Sequence, residues 1–211
     1  MLISKIQKCR RERNRFEVYV DEQPLFKVSD TVLVQLGLYT GQEIDEKIVE
    51  QAVLADSLES ARRLAITFLS YRPRTCREII GKLTTRGYSP EVANQVLDKL
   101  REFNMVNDLE FARMFVRDKL RGKPMGKAMM RKKLQEKGVS FQLADRVIRE
   151  YMNDESEQQA ALVLAEKKLK ASGARYASLD TFTRQKRIAA YLLTRGFSAE
   201  IAHKIARSVS R

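Results

Sequence analysis

The sequence predicts a mainly α protein: tandem three-helix repeats preceded by a small N-terminal α/β module that contains a β-hairpin. Three observations carry this prediction. A block of residues recurs at offsets of 51 and 58, each copy places one glycine between two runs of helically spaced apolar residues, and residues 16–28 alternate with period two.

In the N-terminal module, Phe16, Val18 and Val20 fall on one side of a strand. An Asp-Glu-Gln-Pro turn follows, and Phe26 and Val28 resume the pattern, which is that of a hairpin. The run "LISKI" offers a third strand. Short helices are expected around Asp30–Leu36 and Asp45–Leu54, separated by "GLYTGQE".

The repeat is visible in the residues themselves. Asp56-Ser57-Leu58-Glu59-Ser60-Ala61-Arg62 falls on Asn107-Asp108-Leu109-Glu110-Phe111-Ala112-Arg113, and Pro73 falls on Pro124. Leu83, Gly87 and Ser89 fall on Leu134, Gly138 and Ser140, then on Leu192, Gly196 and Ser198. The expected boundaries are 1–55 for the N-terminal module and 56–104, 105–153 and 154–211 for the repeats.

Each repeat reads as three helices. The first is expected to open on an N-cap with an acid or amide three residues on: Asp56 with Glu59, Asn107 with Glu110, Ser156 with Gln159. Leu109, Ala112, Val116 and Leu120 supply its apolar stripe in the second repeat. Pro73 and Pro124 end it, because proline disfavours helical geometry in the residue before it. The second helix runs to Gly87, Gly138 or Gly196, where a left-handed turn suits a residue without Cβ. Ser89, Ser140 or Ser198 then caps the third, whose buried face in the first repeat is Val92, Ala93, Val96, Leu97 and Leu100. "ASGARYASLD" reads as an insertion of about nine residues in the third repeat, expected as a surface loop. Residues 56–211 are expected to fold without 1–55.

The glycines of "RGKPMGKAMM" invite comparison with a phosphate-binding loop. Such a loop needs four residues between its glycines, Ser or Thr after the lysine, and a strand before it. Gly122 and Gly126 have three between them, Ala128 follows Lys127, and a helix precedes. A connection between two helices is the better reading.

Composition narrows the function. The chain has 211 residues, 44% of them hydrophobic, enough for a real core. Its net charge of +13 points to a polyanionic partner. No apolar run approaches the roughly 20 residues that span a bilayer, and the start lacks the apolar region of a signal peptide. The expectation is a cytoplasmic, monomeric protein without a membrane partner. Cys9 and Cys76 are too few for a disulfide framework or a zinc cluster. His203, the one histidine, sits at helical spacing beside Ile201, Ala202 and Ile205 as a helix-flank residue. One histidine and two cysteines assemble no catalytic triad and no metal set, so the chain reads as a non-enzyme without metal or cofactor.

The blocks "LSYRPRTCREIIGKLTTRGYS", "FNMVNDLEFARMFV" and "GKPMGKAMMRKKLQEKGVS", with the leading "ISKIQ", "RFEVYVDE" and "GLYTGQEID", closely resemble the RecX family of bacterial modulators of the RecA recombinase. The resemblance covers nearly the whole chain in the family's order. It implies three-helix repeats in an elongated, curved array that binds in or along the RecA filament. It also implies suppression of strand exchange, ATP hydrolysis and coprotease activity, hence a role in DNA repair and the SOS response.

The residues themselves supply a basic surface. Arg113, Arg117 and Arg121 stand at i, i+4 and i+8 on one helix, and Lys123, Lys127, Arg131, Lys132 and Lys133 follow. Residues 113–137 carry a net +8. A charge run is ordinarily a solvated face, but so dense a run repels itself and favours a binding role. With Arg72 and Arg74 of the first repeat, these cations are the candidate contacts to a RecA filament or to phosphates of single- or double-stranded DNA. Two other readings stay open: a helix-turn-helix DNA-binding regulator and a passive repeat scaffold. Against the first, the third helices open on Ser89-Pro90-Glu91, Ser140-Phe141-Gln142 and Ser198-Ala199-Glu200, which present acidic or apolar side chains to a groove.

Overall fold

The computed structural model describes every residue except 11, 13, 174, 175, 177 and 211. Arg11 and Arg13, which the sequence places in a basic N-terminal arm, lie outside the described residues. The described elements are three strands and ten helices, and the chain divides into two compact units. The first comprises Met1–Pro73 with Ile79–Val106, and the second Arg74–Glu78 with Asn107–Arg211.

In the first unit, β1 (Ile3–Lys8), β2 (Arg15–Val20) and β3 (Gln23–Ser29) form an antiparallel sheet in that order. Val18 pairs with Ile6 on one side and Phe26 on the other. Asp21 and Glu22 make the hairpin turn at φ 48° and 67°, the left-handed geometry that matches strand twist. Ile3, Val18, Val20, Phe26 and Val28 pack with Val32 of α1 (Asp30–Leu36) and Ala52 of α2 (Glu46–Ser70). Alternation predicts Val18, Val20, Phe26 and Val28 among them, whereas Phe16, expected on the same side, is only half-buried.

The helix expected to start at Asp56 does not start there. The helix α2 runs 25 residues without interruption from its cap at Asp45, through the expected boundary at 55/56. Asp56 is buried and accepts from Ser29 N at 2.8 Å and from an Arg15 guanidinium nitrogen at 2.6 Å. Its carboxylate thus fastens the helix to the end of β3. Fragment 56–211 would begin inside α2 and discard those partners, so the expectation that it folds alone is withdrawn. The remaining helices of this unit are α3 (Cys76–Thr85), which begins in the second unit, and α4 (Pro90–Glu102), which packs on α2 through the predicted buried face.

The second unit contains α5 (Asp108–Gly122), α6 (Lys127–Glu136) and α7 (Phe141–Tyr151), followed by α8 (Asp154–Ala171), α9 (Thr181–Thr194) and α10 (Ala199–Val209). Each trio surrounds its own core: Phe111, Val116, Met130, Leu134 and Ile148 in one, Leu164, Ile188, Leu192, Ile201 and Ile205 in the other. Asn107 caps α5 as predicted. The cap of α8 is Asn153, which accepts from Ser156 N at 2.7 Å, so the predicted cap, Ser156, is already inside the helix. The inserted segment is not wholly at the surface either. Tyr176 is buried in the core of the last trio, and Leu179 packs against it.

The repeated helix ends match the prediction. Gly87, Gly138 and Gly196 have φ of 88°, 94° and 83°. In each copy the residue after the glycine donates to the carbonyl five positions back (Leu83, Leu134, Leu192), which satisfies an orphan helix carbonyl. Ser89, Ser140 and Ser198 then accept from Val92, Leu143 and Ile201 N–H groups.

Candidate anion-binding groove

Within the second unit, the start of one helix docks repeatedly on the end of another. Thr75 Oγ1 donates to Lys137 O at 2.5 Å, and Cys76 N donates to Asp108 Oδ1 at 2.9 Å. At the corresponding positions further along, Gly126 N donates to Arg195 O at 3.0 Å, and Lys127 N donates to Glu157 Oε1 at 3.0 Å. Gly126 caps α6 at φ −70°, an ordinary conformation, so positive φ does not explain it. Close approach does. A Cβ there would stand 2.1 Å from Gly196 O, inside the backbone of the next helix end. The glycine that suggested a phosphate loop is therefore a packing residue.

This docking fixes the loop 122–126 against the last three helices and leaves a groove of about 680 Å³ beside it. One wall is the end of α5 and its loop, with Arg121 and Lys123. The other comes from α8 and α9, with Lys167, Lys168 and Arg195. Leu120, Pro124, Val163 and Tyr191 supply apolar surface between them. Among the described residues, no Asp or Glu lines the groove. The Lys168 ammonium and the Arg195 guanidinium each lie 5.4 Å from the Tyr191 ring centroid, which orients both cations.

The predicted cations divide into two groups. Arg113 bonds Glu110 at 2.8 Å and Glu150 at 3.2 Å, and these hydrogen bonds push its pKa up. Lys127 bridges Asp154 at 2.7 Å and Glu157 at 3.3 Å, and the Asp154 hydrogen bond, followed by that from Glu157, raises its pKa. Arg131 holds buried Asp145 at 2.5 Å and lies over the Phe141 ring. All three are engaged in ion pairs within the second unit, and those of Lys127 and Arg131 reach buried acids, Glu157 and Asp145. Arg72 donates to Pro73 O at 2.9 Å and Arg74 is half-buried, so neither projects as a free cation. Arg117, Arg121, Lys123 and Lys132 are exposed, Lys133 is half-buried, and none of the five has an ion pair among the described residues. The groove brings together two of them, Arg121 and Lys123.

Lys167, Lys168 and Arg195 were missed. A signal for one was present: a basic residue precedes each repeat glycine, as Arg86-Gly87, Lys137-Gly138 and Arg195-Gly196. Glu91 bears on the helix-turn-helix reading at α4. Its own backbone N–H, with the Ser89 hydroxyl, holds its carboxyl below the ordinary value, so an anion stands at that helix start.

Four family models match in order. The model of the RecX N-terminal domain covers residues 1–45, and those of the first, second and third RecX three-helix domains cover 61–100, 107–148 and 155–205. Regulatory protein RecX of Listeria monocytogenes is 30% identical over 202 residues, 96% of this chain and 73% of that protein. The chain belongs to the RecX family. Regulatory protein RecX of Clostridium botulinum is 27% identical over 205 residues, 97% of this chain and 94% of its own. A crystal structure of regulatory protein RecX superposes with a TM-score of 0.75 at 28% identity, covering 97% of this chain and 98% of that one. RecX from Lactobacillus salivarius gives 0.66 at 26% identity, over 74% and 97%. The RecX models begin the first three-helix domain at residue 61, inside α2. No helix among the described residues is long and apolar enough to cross a membrane.

Proposed function

We propose that this RecX-family protein is a non-enzymatic, cytoplasmic regulator that binds RecA or its DNA filament and inhibits recombinase, ATPase and coprotease activities. Through them it modulates DNA repair and the SOS response. The observation that carries the reading is the unbroken order of RecX domains along the chain, from residue 1 to 205. The unpaired cations Arg117, Arg121, Lys123, Lys132 and Lys133 support a polyanionic target. DNA phosphate and acidic protein surface both meet that description.

The test is binding to RecA-coated and to naked single-stranded DNA, measured side by side as salt is raised. Counterion release makes binding to naked DNA fall steeply with salt. A protein interface adds apolar burial that salt does not screen. Binding to the coated strand should therefore survive at salt that abolishes the other, and the chain should lower RecA ATP hydrolysis. Coincident salt curves with no effect on hydrolysis would replace this reading with the helix-turn-helix one.

A further inference from the structure

We infer that the groove between the end of α5 and the last three helices takes a short acidic segment of a partner protein that anchors itself with an apolar side chain. Three features select this occupant. Every charged residue described in the lining is a cation, Arg121 and Lys123 on one wall and Lys167, Lys168 and Arg195 on the other, so a carboxylate-bearing chain meets opposite charge on both sides. The surface between them is largely apolar: Leu120, Pro124, Val163 and Tyr191 lie together there, with Ser156 and Gln159 the neutral polar residues among them, and Val163 is 46% exposed. The volume of about 680 Å³ fits a few residues of extended chain rather than a folded domain.

A nucleic-acid strand fits less well. Single-strand sites stack bases on open aromatic faces. Tyr191 is the one aromatic residue lining this groove among the described residues, and two cations already lie against its ring. The phosphates would find charge, but the bases would find no platform. The identity of the partner as RecA rests on the proposed function, whereas the chemistry of the occupant rests on the groove alone.

The probes are three fluorescent molecules: a synthetic peptide of about a dozen residues alternating glutamate with leucine, an oligoglutamate of equal charge, and an oligothymidylate. Each is titrated with the full chain and read by anisotropy. The mixed peptide should bind at least about tenfold more tightly than the oligoglutamate, since apolar burial is added to the same charge. Val163→Ser should weaken the mixed peptide about fivefold and leave the oligoglutamate unchanged. Lys167→Ala should weaken both peptides. Thermal melts of both variants confirm folding, which exposed positions permit. Equal affinity for the two peptides, or no binding of either, overturns the proposal. So does an oligothymidylate that binds more tightly and is the one weakened by Lys167→Ala, which makes the groove a nucleic-acid site. Failure of the peptides with RecA inhibition intact removes this inference and leaves the proposed function standing. Peptide binding without any effect on RecA removes the function and leaves the groove.

Discussion

Glu157 of α8 caps the start of α6: its Oε1 accepts the Lys127 N–H at 3.0 Å, while Oε2 takes the Lys127 ammonium at 3.3 Å. One carboxylate thus satisfies an orphan helix amide and pairs with the side chain of the same residue. Asp108 likewise accepts the Cys76 N–H at the start of α3, at 2.9 Å. Glu157 is buried and Asp108 only half so. Glu157→Ala should therefore destabilise by about 2–3 kcal/mol, because it strands a buried donor and a partly buried cation. Glu157→Gln, which keeps an acceptor, should cost less, and Asp108→Ala should cost less than Glu157→Ala. Denaturant melts rank the three variants.

Gly126 offers a sharper contrast. With backbone only 2.1 Å from the Cβ position, Gly126→Ala must force two helix ends apart, and overpacking of this kind costs about 1–3 kcal/mol or more. Gly122 has nothing within 4 Å of its Cβ position and ends α5. Gly122→Ala should be neutral or slightly stabilising. Equal melting midpoints for the two variants would contradict the docking described here.

Asp56 tests the corrected boundary. Removing its carboxylate leaves the buried Ser29 N–H without its acceptor and takes the nearest partner from the half-buried Arg15 guanidinium, to which Ser60 Oγ at 3.5 Å and Glu12 at 3.7 Å remain. Asp56→Ala should cost about 2–4 kcal/mol, whereas loss of an exposed N-cap costs about 1. A value near the smaller figure by denaturant melt would favour the capping role read from sequence.

Where the sequence was legible, the physics was local. Helical spacing marked Val92, Ala93, Val96, Leu97 and Leu100 as a buried face, and all five are buried. Gly138 and Ser140 mark a left-handed turn and a cap because those geometries depend on the residues at the turn. Asp56 misled because Asp-x-x-Glu is equally a capping box and a piece of helix with inward-facing polar groups. Only Ser29 and Arg15, 27 and 41 residues away, decide between them. The basic run misled in the same way. Lys127 and Arg117 look alike in sequence, but Asp154 and Glu157, about thirty residues on, neutralise one and leave the other free. Lys167 and Arg195 share a groove with Lys123 only through the docking of Gly126 on Gly196, which no periodicity reports.

Acid should weaken the second unit through Asp145. The Arg131 hydrogen bond first, and then that of Arg149, hold its carboxyl below the ordinary carboxylate value, against the opposing effect of burial. A lowered folded pKa contributes stability that is complete above the unfolded value, about 3.9, and drains away as pH falls through the lower folded value. Wild type should accordingly lose stability below about pH 4 more steeply than Asp145→Asn, which has no such proton to gain. Urea melts at descending pH give both slopes. Parallel slopes would show that the two arginines do not hold Asp145 as described.

The last prediction concerns the free cations and separates binding from folding. Arg117, Arg121 and Lys123 are exposed and carry no ion pair among the described residues, so reversing them removes charge from the surface without breaking an internal contact. The triple variant Arg117→Glu, Arg121→Glu, Lys123→Glu should melt within about 1 kcal/mol of wild type, since surface substitutions away from structural partners are small individually. Its inhibition of RecA ATP hydrolysis should fall at least about tenfold, because three attractive contacts become repulsive ones. Lys127→Glu should behave in the opposite order. It places a third acid beside Asp154 and Glu157, which removes a salt bridge and adds like-charge repulsion next to a buried carboxylate. Its stability should drop by about 2 kcal/mol or more, and its inhibition should be recovered at temperatures where the variant is still folded. Inhibition assays at two temperatures, paired with melts, discriminate the cases. If the triple variant inhibits as well as wild type, the free cations of α5 and its loop are a solvated face, and the contact with RecA must be sought elsewhere on the chain.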